Sequence, residues 1–302
     1  MVKSNCEVFV MKILNFGSLN YDHVYQVDHF VQPKETMSSL SYGRNFGGKG
    51  LNQSIALAKA GCDVYHAGRV GSDGQDFIDY LNKYGVRTDY LLKDMNEATG
   101  HAIIEVCKGQ NCIILHGGAN QKVSEAQADE VLKHFGEGDL LLLQNEISST
   151  ACIMKKAHER GMKIAINTAP MDEKIFTYPL ELVDIFIVNE VEAAGLVQSD
   201  TQDIEEIIGL LKDKYGDREV VMTVGENGSY YIGKGEVIHE PAIRVEAVDT
   251  TAAGDTFTGF FLASYLKDND VRKALKLATR AASITVQGEG AAQSIPDIGD
   301  LQ

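Results

Sequence analysis

Leu140-Leu-Leu-Leu-Gln144, Lys163-Ile-Ala-Ile-Asn167 and Ile185-Phe-Ile-Val188 are short apolar runs that follow one another down the chain. A strand with one wet face alternates apolar and polar residues. A run that is apolar at nearly every position belongs to a sheet covered on both faces, as parallel sheets are. The same signal extends upstream to Ile13–Phe16 and Val64–Val70, and downstream to Val220–Val224. Helical patterns fill the gaps, and their ends are readable. Ser124-Glu-Ala-Gln127 has the form of a capping box ahead of Ala128, Val131, Leu132 and Phe135. Gly61, Gly85, Gly161 and Gly216 each follow a helical pattern, where a C-terminal glycine is expected. Strand and helix in alternation predict an α/β, doubly wound, mostly parallel sheet with helices on both faces.

Two stretches break this rhythm. Residues 22–45 hold strand-like pieces and no good helix. Residues 97–117 read as a hairpin, His101–Val106 and Cys112–His116 joined by a Lys108-Gly-Gln-Asn111 turn. No Pro- or Ser-rich linker sets them apart. Residues 1–302 therefore read as one domain, with the segments at about 22–45 and 97–117 inserted as a small β-sheet lid.

Composition narrows the functions. The 302 residues are 44% hydrophobic and 24% charged, an ordinary globular balance with enough chain to bury a substantial core. A net charge of −15 argues against nucleic acid or anionic membrane as partners. A polyphosphate can still be held locally by backbone N–H groups and a divalent cation. No unbroken apolar run approaches the ~18 residues of a membrane helix. Met1–Lys12 lacks the pattern of a signal peptide, and Met11 precedes an apolar run, so residues 1–10 read as an extension or as the product of an alternative start. The cysteines, Cys6, Cys62, Cys107, Cys112 and Cys152, are scattered and form no C-x-x-C pair. Reduced thiols in a cytoplasmic protein, without a zinc site, are the simplest reading.

The chemistry concentrates in Val248-Asp-Thr-Thr-Ala-Ala-Gly-Asp-Thr-Phe-Thr-Gly259, which runs into a helical pattern containing Phe260, Phe261 and Leu266. Ala252, Ala253 and Gly254 are small enough to let a ligand approach the backbone. The helix start then offers free N–H groups and the positive end of its dipole, which suits charge on a transferring phosphoryl group. Asp255 sits at that start, where the dipole favours its ionised form and a hydroxyl proton can be accepted. Taken alone, Gly254-Asp255 is equally a helix cap after a glycine turn. Other stretches add polar groups. In Asn45-Phe-Gly-Gly-Lys-Gly-Leu-Asn-Gln53, the glycines let backbone approach a polyol and Asn52 can donate and accept. Asn20 and Asp22 follow the first strand, on the side where open α/β sheets bind ligands. Glu146 directly follows the run at 140–144, and Asn189 and Glu192 follow the run at 185–188. Gly43-Arg-Asn-Phe-Gly-Gly-Lys49 imitates the start of a P-loop, but Gly50 stands where that motif needs Ser or Thr.

In this order and spacing, the motifs resemble the ribokinase (PfkB) family of sugar kinases. Asp249–Gly259 resembles the family's C-terminal signature and Asn45–Gln53 its N-terminal signature. Gly17-Ser-Leu-Asn-Tyr-Asp22 resembles its first sugar-binding segment, Asn189-Glu-Val-Glu192 its Asn-x-x-Glu motif, and Thr223-Val-Gly-Glu-Asn-Gly228 its nucleotide loop. The resemblance implies a phosphotransferase that moves the γ-phosphate of ATP to a primary hydroxyl. It implies Asp255 as base, beside the backbone N–H groups of Ala252, Ala253 and Gly254. Sugar contacts are implied for Asn20, Asp22, Gly48, Lys49, Asn52, Glu146 and Asp255. Nucleotide contacts are implied for Asn189, Thr223, Gly225, Gly228, Gly254 and Thr279. Asn189 and Glu192 would hold Mg²⁺ through its waters, or serve only as a helix-start pair. A monovalent cation, usually K⁺, is implied beside Asp249, Thr251, Thr285, Gly288, Gly290 and Ser294, several acting through backbone carbonyls.

Ile114-Leu-His-Gly-Gly-Ala-Asn120 and the Gly48, Asn52 and Glu146 set look closer to ribokinases than to fructose-phosphate kinases. D-Ribose is the first expected acceptor, with a nucleoside or another pentose or hexose as the alternative. Lys34, Arg44 and Arg69 leave a phosphorylated sugar open. A homodimer paired through the lids also follows from the resemblance. A non-catalytic sugar or nucleotide sensor could dispense with Asp255, Asn189 and Glu192, yet all are present. A nicotinamide-dependent dehydrogenase would need G-x-G-x-x-G after the first strand, which Gly17–Asp22 does not supply. The sequence departs from the family pattern at Pro33-Lys-Glu-Thr36, which lacks a glycine, at Gln293, where proline is usual, and at Thr279, where Asn or His is usual.

Overall fold

The computed structural model describes residues 11–301. Residues 1–10, with Cys6 and the proposed extension, lie outside that range. From the amino end, β1 (Lys12–Phe16) leads to β2 (Asn20–Gln26), β3 (Ser41–Gly47) and α1 (Lys49–Lys59). Next come β4 (Asp63–Gly71), α2 (Gln75–Lys83), β5 (Arg87–Asp94) and the hairpin β6 (Gly100–Cys107) and β7 (Gln110–His116). The alternation continues through α3 (Glu125–Leu132), β8 (Leu140–Gln144), α4 (Thr150–Glu159), β9 (Lys163–Asn167), β10 (Ile185–Asn189), α5 (Glu190–Leu196), α6 (Ile204–Tyr215) and β11 (Glu219–Thr223). The hairpin β12 (Ser229–Gly233) and β13 (Glu236–Glu240) precedes α7 (Ala253–Asp268) and α8 (Val271–Thr285).

The main sheet has the order β13-β12-β11-β10-β9-β8-β1-β4-β5. All neighbours pair in parallel except β11–β12 and β12–β13. Successive residues of one strand feed opposite cores, which is why the runs are apolar throughout. Leu140 and Leu142 pack on the side of α1, α7 and α8, with Leu51, Phe260 and Leu275. Leu141 and Leu143 pack on the side of α3, α4 and α6, with Val131, Ile153 and Leu211. Each such fully buried side chain contributes roughly 1.5–3 kcal/mol. The strand order turns at β1, which has β4 on one side and β8 on the other. Ligands of doubly wound sheets bind beyond the strand ends at such a point.

One helix crossing places the site. A Cβ on Gly259 would lie 2.4 Å from Ala56 Cβ and 2.8 Å from the Leu57 nitrogen. Only glycine lets α7 lie this close to α1, and that approach sets Asn52 and Gln53 of α1 opposite Asp255 of α7.

The second sheet has the order β3-β2-β6-β7, with β2 and β6 pairing in parallel at its centre. Its strands start at Asn20 and reach Gly47, so the first lid segment is longer than the 22–45 read from sequence. The hairpin turn is Lys108-Gly109 alone, both at positive φ (49° and 79°), and Gln110 and Asn111 already belong to β7. Two residues in left-handed backbone form the tight turn whose twist matches the strands. The box at Ser124 is only half made. Ser124 accepts from the Gln127 N–H, but the Gln127 amide turns away to donate to Gly68 O at 2.7 Å. Gly61, Gly85 and Gly161 end helices at positive φ, whereas Gly216 stays right-handed at −63°. Cys62, Cys107, Cys112 and Cys152 are unpaired, and no helix among the described residues is long and apolar enough to cross a membrane.

Candidate active site

Asp255 lies in the first turn of α7 and is 6% exposed. Each of its carboxylate oxygens receives an amide. Asn52 Nδ2 donates to Oδ2 at 3.0 Å, and Gln53 Nε2 donates to Oδ1 at 2.9 Å. Lys49 Nζ stands 3.9 Å from Oδ1. The Asn52 carbonyl oxygen is buried without a partner. A buried acceptor left unmet in the protein is what a hydroxylated ligand would satisfy. Of the anion-binding N–H groups expected at Ala252, Ala253 and Gly254, that of Ala253 is instead taken up by Thr250 O, which closes the turn into the helix, and the Thr256 N–H bonds to Ala252 O. The N–H groups of Ala252, Gly254 and Asp255 have no acceptor among the described residues, which leaves them for an anion. Ala252 itself is held at φ 62°, so the chain turns sharply into the helix.

A second acidic group faces this one. Glu146, just beyond β8, accepts from Ser18 Oγ and from the Lys49 N–H at 3.1 Å, which places it at the start of α1. Burial pushes the Glu146 pKa up, while Lys49 and the Ser18 hydrogen bond oppose this. Burial works against the Lys49 charge, but Asp255, Glu146 and Glu192 together raise its pKa above the ordinary lysine value. Asp22, on β2, lies over the backbone of Gly47; burial and the nearby Glu146 push its pKa up to about 7. Asn20 is oriented by Asn120, whose Nδ2 donates to Asn20 Oδ1 at 2.8 Å, and Asn120 is itself pinned to Leu19 by both its amide atoms. Gly48 caps α1 with φ 98° and abuts the Asn20 nitrogen. The sugar-site candidates Asn20, Asp22, Gly48, Lys49, Asn52, Glu146 and Asp255 are therefore brought together at the turn of the strand order. The P-loop imitation fails here on space as well. A Cβ at Gly50 would sit 2.4 Å from the Ser18 nitrogen, so Ser or Thr has no room.

Asn189 and Glu192 form a complete capping box at α5, with Glu192 N–H to Asn189 Oδ1 at 2.7 Å and Asn189 N–H to Glu192 Oε2 at 3.1 Å. Asn189 Nδ2 takes up the other Glu192 oxygen at 2.9 Å. Each carboxylate oxygen keeps a free lone pair, a donor set that fits the waters around a magnesium ion better than the ion itself. Burial raises the Glu192 pKa, while Lys49 lowers it. Thr223 pairs with Asn189 across β11 and β10, which puts the nucleotide-loop candidates beside the capping box. Gly225 and Gly228 carry positive φ (53° and 98°). Thr279, on α8, shares no hydrogen bond with them, and its hydroxyl is buried without a partner.

The cation candidates also gather. Asp249 Oδ1 accepts from the Thr251 N–H at 2.9 Å and hydroxyl at 2.6 Å, and Oδ2 accepts from the Gly290 N–H at 3.0 Å. Ser294 Oγ donates to Gly290 O at 2.9 Å, and the Gly288 N–H donates to Thr285 O at 3.1 Å. Burial opposes ionisation of Asp249, yet the Thr251 and Gly290 hydrogen bonds outweigh it and hold the carboxyl below the usual range. The Thr285 side chain is taken up by Thr256 and Ala281, leaving its carbonyl as the group it can offer. Sequence reasoning passed over Ser18, Gln53, Asn120 and Gln144. All four lie inside stretches quoted above, Gln144 as the last residue of the apolar run at 140–144, but nothing local marks a buried side chain that acts by orienting another.

The sequence profile described as "pfkB family carbohydrate kinase" matches residues 11–298. The ribokinase of Haemophilus influenzae is 34% identical over 288 residues, covering 93% of this chain and 94% of its own. The deoxyribokinase of Salmonella typhi is 31% identical over 297 residues, covering 95% and 96%. Among solved structures, Arabidopsis thaliana ribokinase complexed with ribose and ATP superposes with a TM-score of 0.85 at 31% identity, covering 97% of each chain.

Proposed function

Because the chain belongs to the pfkB family of carbohydrate kinases, phosphotransferases with alcohol acceptors, we propose that it transfers the γ-phosphoryl group of ATP to the primary hydroxyl of D-ribose. The observation that carries this reading is the buried Asp255 carboxylate, oriented by two amides at the open start of α7 and ringed by polyol-binding groups. In the reaction, Asp255 takes the hydroxyl proton as that oxygen attacks the γ-phosphorus. The new O–P bond forms as the bond to the β-γ bridging oxygen breaks, giving ribose 5-phosphate and ADP. The Gly254 and Asp255 N–H groups meet the charge on the phosphoryl oxygens. Lys49, held charged by its carboxylate neighbours, balances the acidic groups around the transfer.

Asn189 and Glu192 would hold the waters of Mg²⁺, which supplies charge neutralisation of the phosphates. Asp249, Thr251 and the carbonyls around Thr285, Gly288 and Gly290, with Ser294, would hold K⁺ and brace the start of α7. The unpartnered Thr279 hydroxyl is suited to the nucleotide. We read residues 1–302 as one catalytic domain in the cytoplasm, with the second sheet closing over the sugar to exclude water. Deoxyribose is the second reading, favoured by the deoxyribokinase relative.

ADP release is measured against D-ribose, deoxyribose, fructose, fructose phosphates and nucleosides, with Mg²⁺ and with or without K⁺. Turnover strongest on ribose and stimulated by K⁺ is expected. A preference for deoxyribose or a nucleoside of tenfold or more would replace the substrate. ATP binding with no turnover on any acceptor would favour the sensor.

A further inference from the structure

The two amides that hold Asp255 come from neighbouring residues of α1, and they differ in their own surroundings. Asn52 leaves its carbonyl oxygen free for a ligand. Gln53 is fully buried and commits its whole amide to protein. Its Nε2 donates to Asp255 Oδ1 at 2.9 Å and to Asn167 Oδ1 at 3.2 Å, and its Oε1 accepts from Gln144 Nε2 at 2.7 Å. Gln144 Nε2 also donates to Asn15 Oδ1 at 2.9 Å, and Asn15 Nδ2 donates to Gly50 O and Ser54 Oγ, each at 2.8 Å. Asn167 Nδ2 donates to Ile187 O at 2.9 Å. Only one orientation of the Gln53 amide satisfies this set, because the reverse would turn its oxygen towards two acceptors. The anchors sit on β1, β8, β9 and β10, so the side chain that reaches Asp255 is braced by the centre of the sheet.

We propose that Gln53 is a positioning residue for Asp255: held by Gln144 and Asn167, it fixes the plane of the carboxylate so that the remaining lone pairs face the acceptor hydroxyl. This rests on the reading of Asp255 as the base. A base misplaced by a rotamer change loses the near-attack geometry on which transfer depends. Loss of the amide also withdraws the donor from one carboxylate oxygen, which leaves the carboxylate free to turn about the bond that Asn52 alone still holds. The other charged groups facing it are Lys49 on α1, Glu146 beyond β8 and Glu192 on α5.

The test uses Gln53→Met, of similar volume, with ATP and ribose. We expect kcat to fall about 10- to 100-fold while ribose KM stays within about threefold. Gln53→Glu fills the same space and places a second carboxyl against Asp255. The amide donor is lost there too, so kcat falls at least as far while ribose KM again stays within about threefold. This second variant carries the test should the methionine variant not fold. A purely packing role would lower the melting temperature and leave kcat as it is in the wild type, and that result in the folded variants overturns the proposal. Asp255→Asn is measured alongside. If it is inactive while the Gln53 variants keep wild-type kcat, only the Gln53 assignment falls. If it turns over normally, the base reading falls and the proposal with it.

Discussion

At the scale of single residues, the site is a balance of buried carboxyls, and Asp22 makes that balance measurable. Its pKa of about 7 lies well above the ordinary aspartate value, through burial first and Glu146 second. The sign follows directly. The folded chain holds a proton on Asp22 that the unfolded chain releases near pH 4, so folding binds more protons than unfolding in this range. Stability is therefore fully present below about pH 4 and is lost as pH rises towards 7, by roughly a few kcal/mol at most. Asp22→Asn should flatten that slope, checked by urea unfolding at pH 5.5 and pH 8. Sugar hydroxyls donate best to the ionised carboxylate, so ribose KM should fall severalfold as pH rises from about 6 to about 8. A KM indifferent to pH, or a slope that survives in Asp22→Asn, would show that Asp22 does not titrate against the sugar. Asp255, Asn52 and Glu146 were legible in the sequence because each sits in a motif or directly after an apolar strand. Ser18, Gln53 and Asn120 were not assigned roles, since the residues they orient, Glu146, Asp255 and Asn20, lie 128, 202 and 100 residues away along the chain.

At the scale of elements, the decisive contact is the crossing of α1 and α7. Glycine in a helix costs about 0.5–1 kcal/mol relative to alanine, so propensity alone favours Gly259→Ala. Space opposes it, because the new Cβ would meet Ala56 at 2.4 Å. Forcing packed helices apart costs typically ~1–3 kcal/mol, so the contact should win. Gly259→Ala should lower the melting temperature and reduce kcat more than it raises KM, since the displacement separates Asn52 and Gln53 from Asp255. A stabilised variant with normal kcat would show that the crossing has slack. The elements visible in sequence were those buried on both faces, such as β8 and β9. Strand β5 and the β12–β13 hairpin escaped notice because they lie at the sheet edges. There, strands such as Arg87–Asp94 and Glu236–Glu240 carry charged residues and lose the apolar run. The Ser124 box failed because a backbone carbonyl on β4 competed for Gln127, and no local pattern reports a tertiary acceptor.

At the scale of the whole molecule, the α/β class and the presence of a second sheet followed from the rhythm of runs and its interruptions, while the strand order did not, because periodicity says nothing of which strands are neighbours. The second sheet leaves β7 exposed along its length, including Ile113 (56%) and Ile114 (69%), and Leu40 beside β3 is 73% exposed. An exposed apolar edge is a pairing surface. If lids pair between two copies, Ile114→Lys should shift the protein from dimer to monomer in sedimentation equilibrium; a wild-type protein that sediments as a monomer at micromolar concentration would end that proposal. The central claim is that this assembly is a kinase whose base is Asp255. It is tested most directly by following ATP and D-ribose with ³¹P NMR in the wild type and in Asp255→Asn. The account predicts a sugar 5-phosphate resonance growing with ADP in the wild type and a rate lower by about 10²- to 10⁴-fold in the variant. A sugar phosphate formed at a similar rate by both proteins, or by neither, would contradict it.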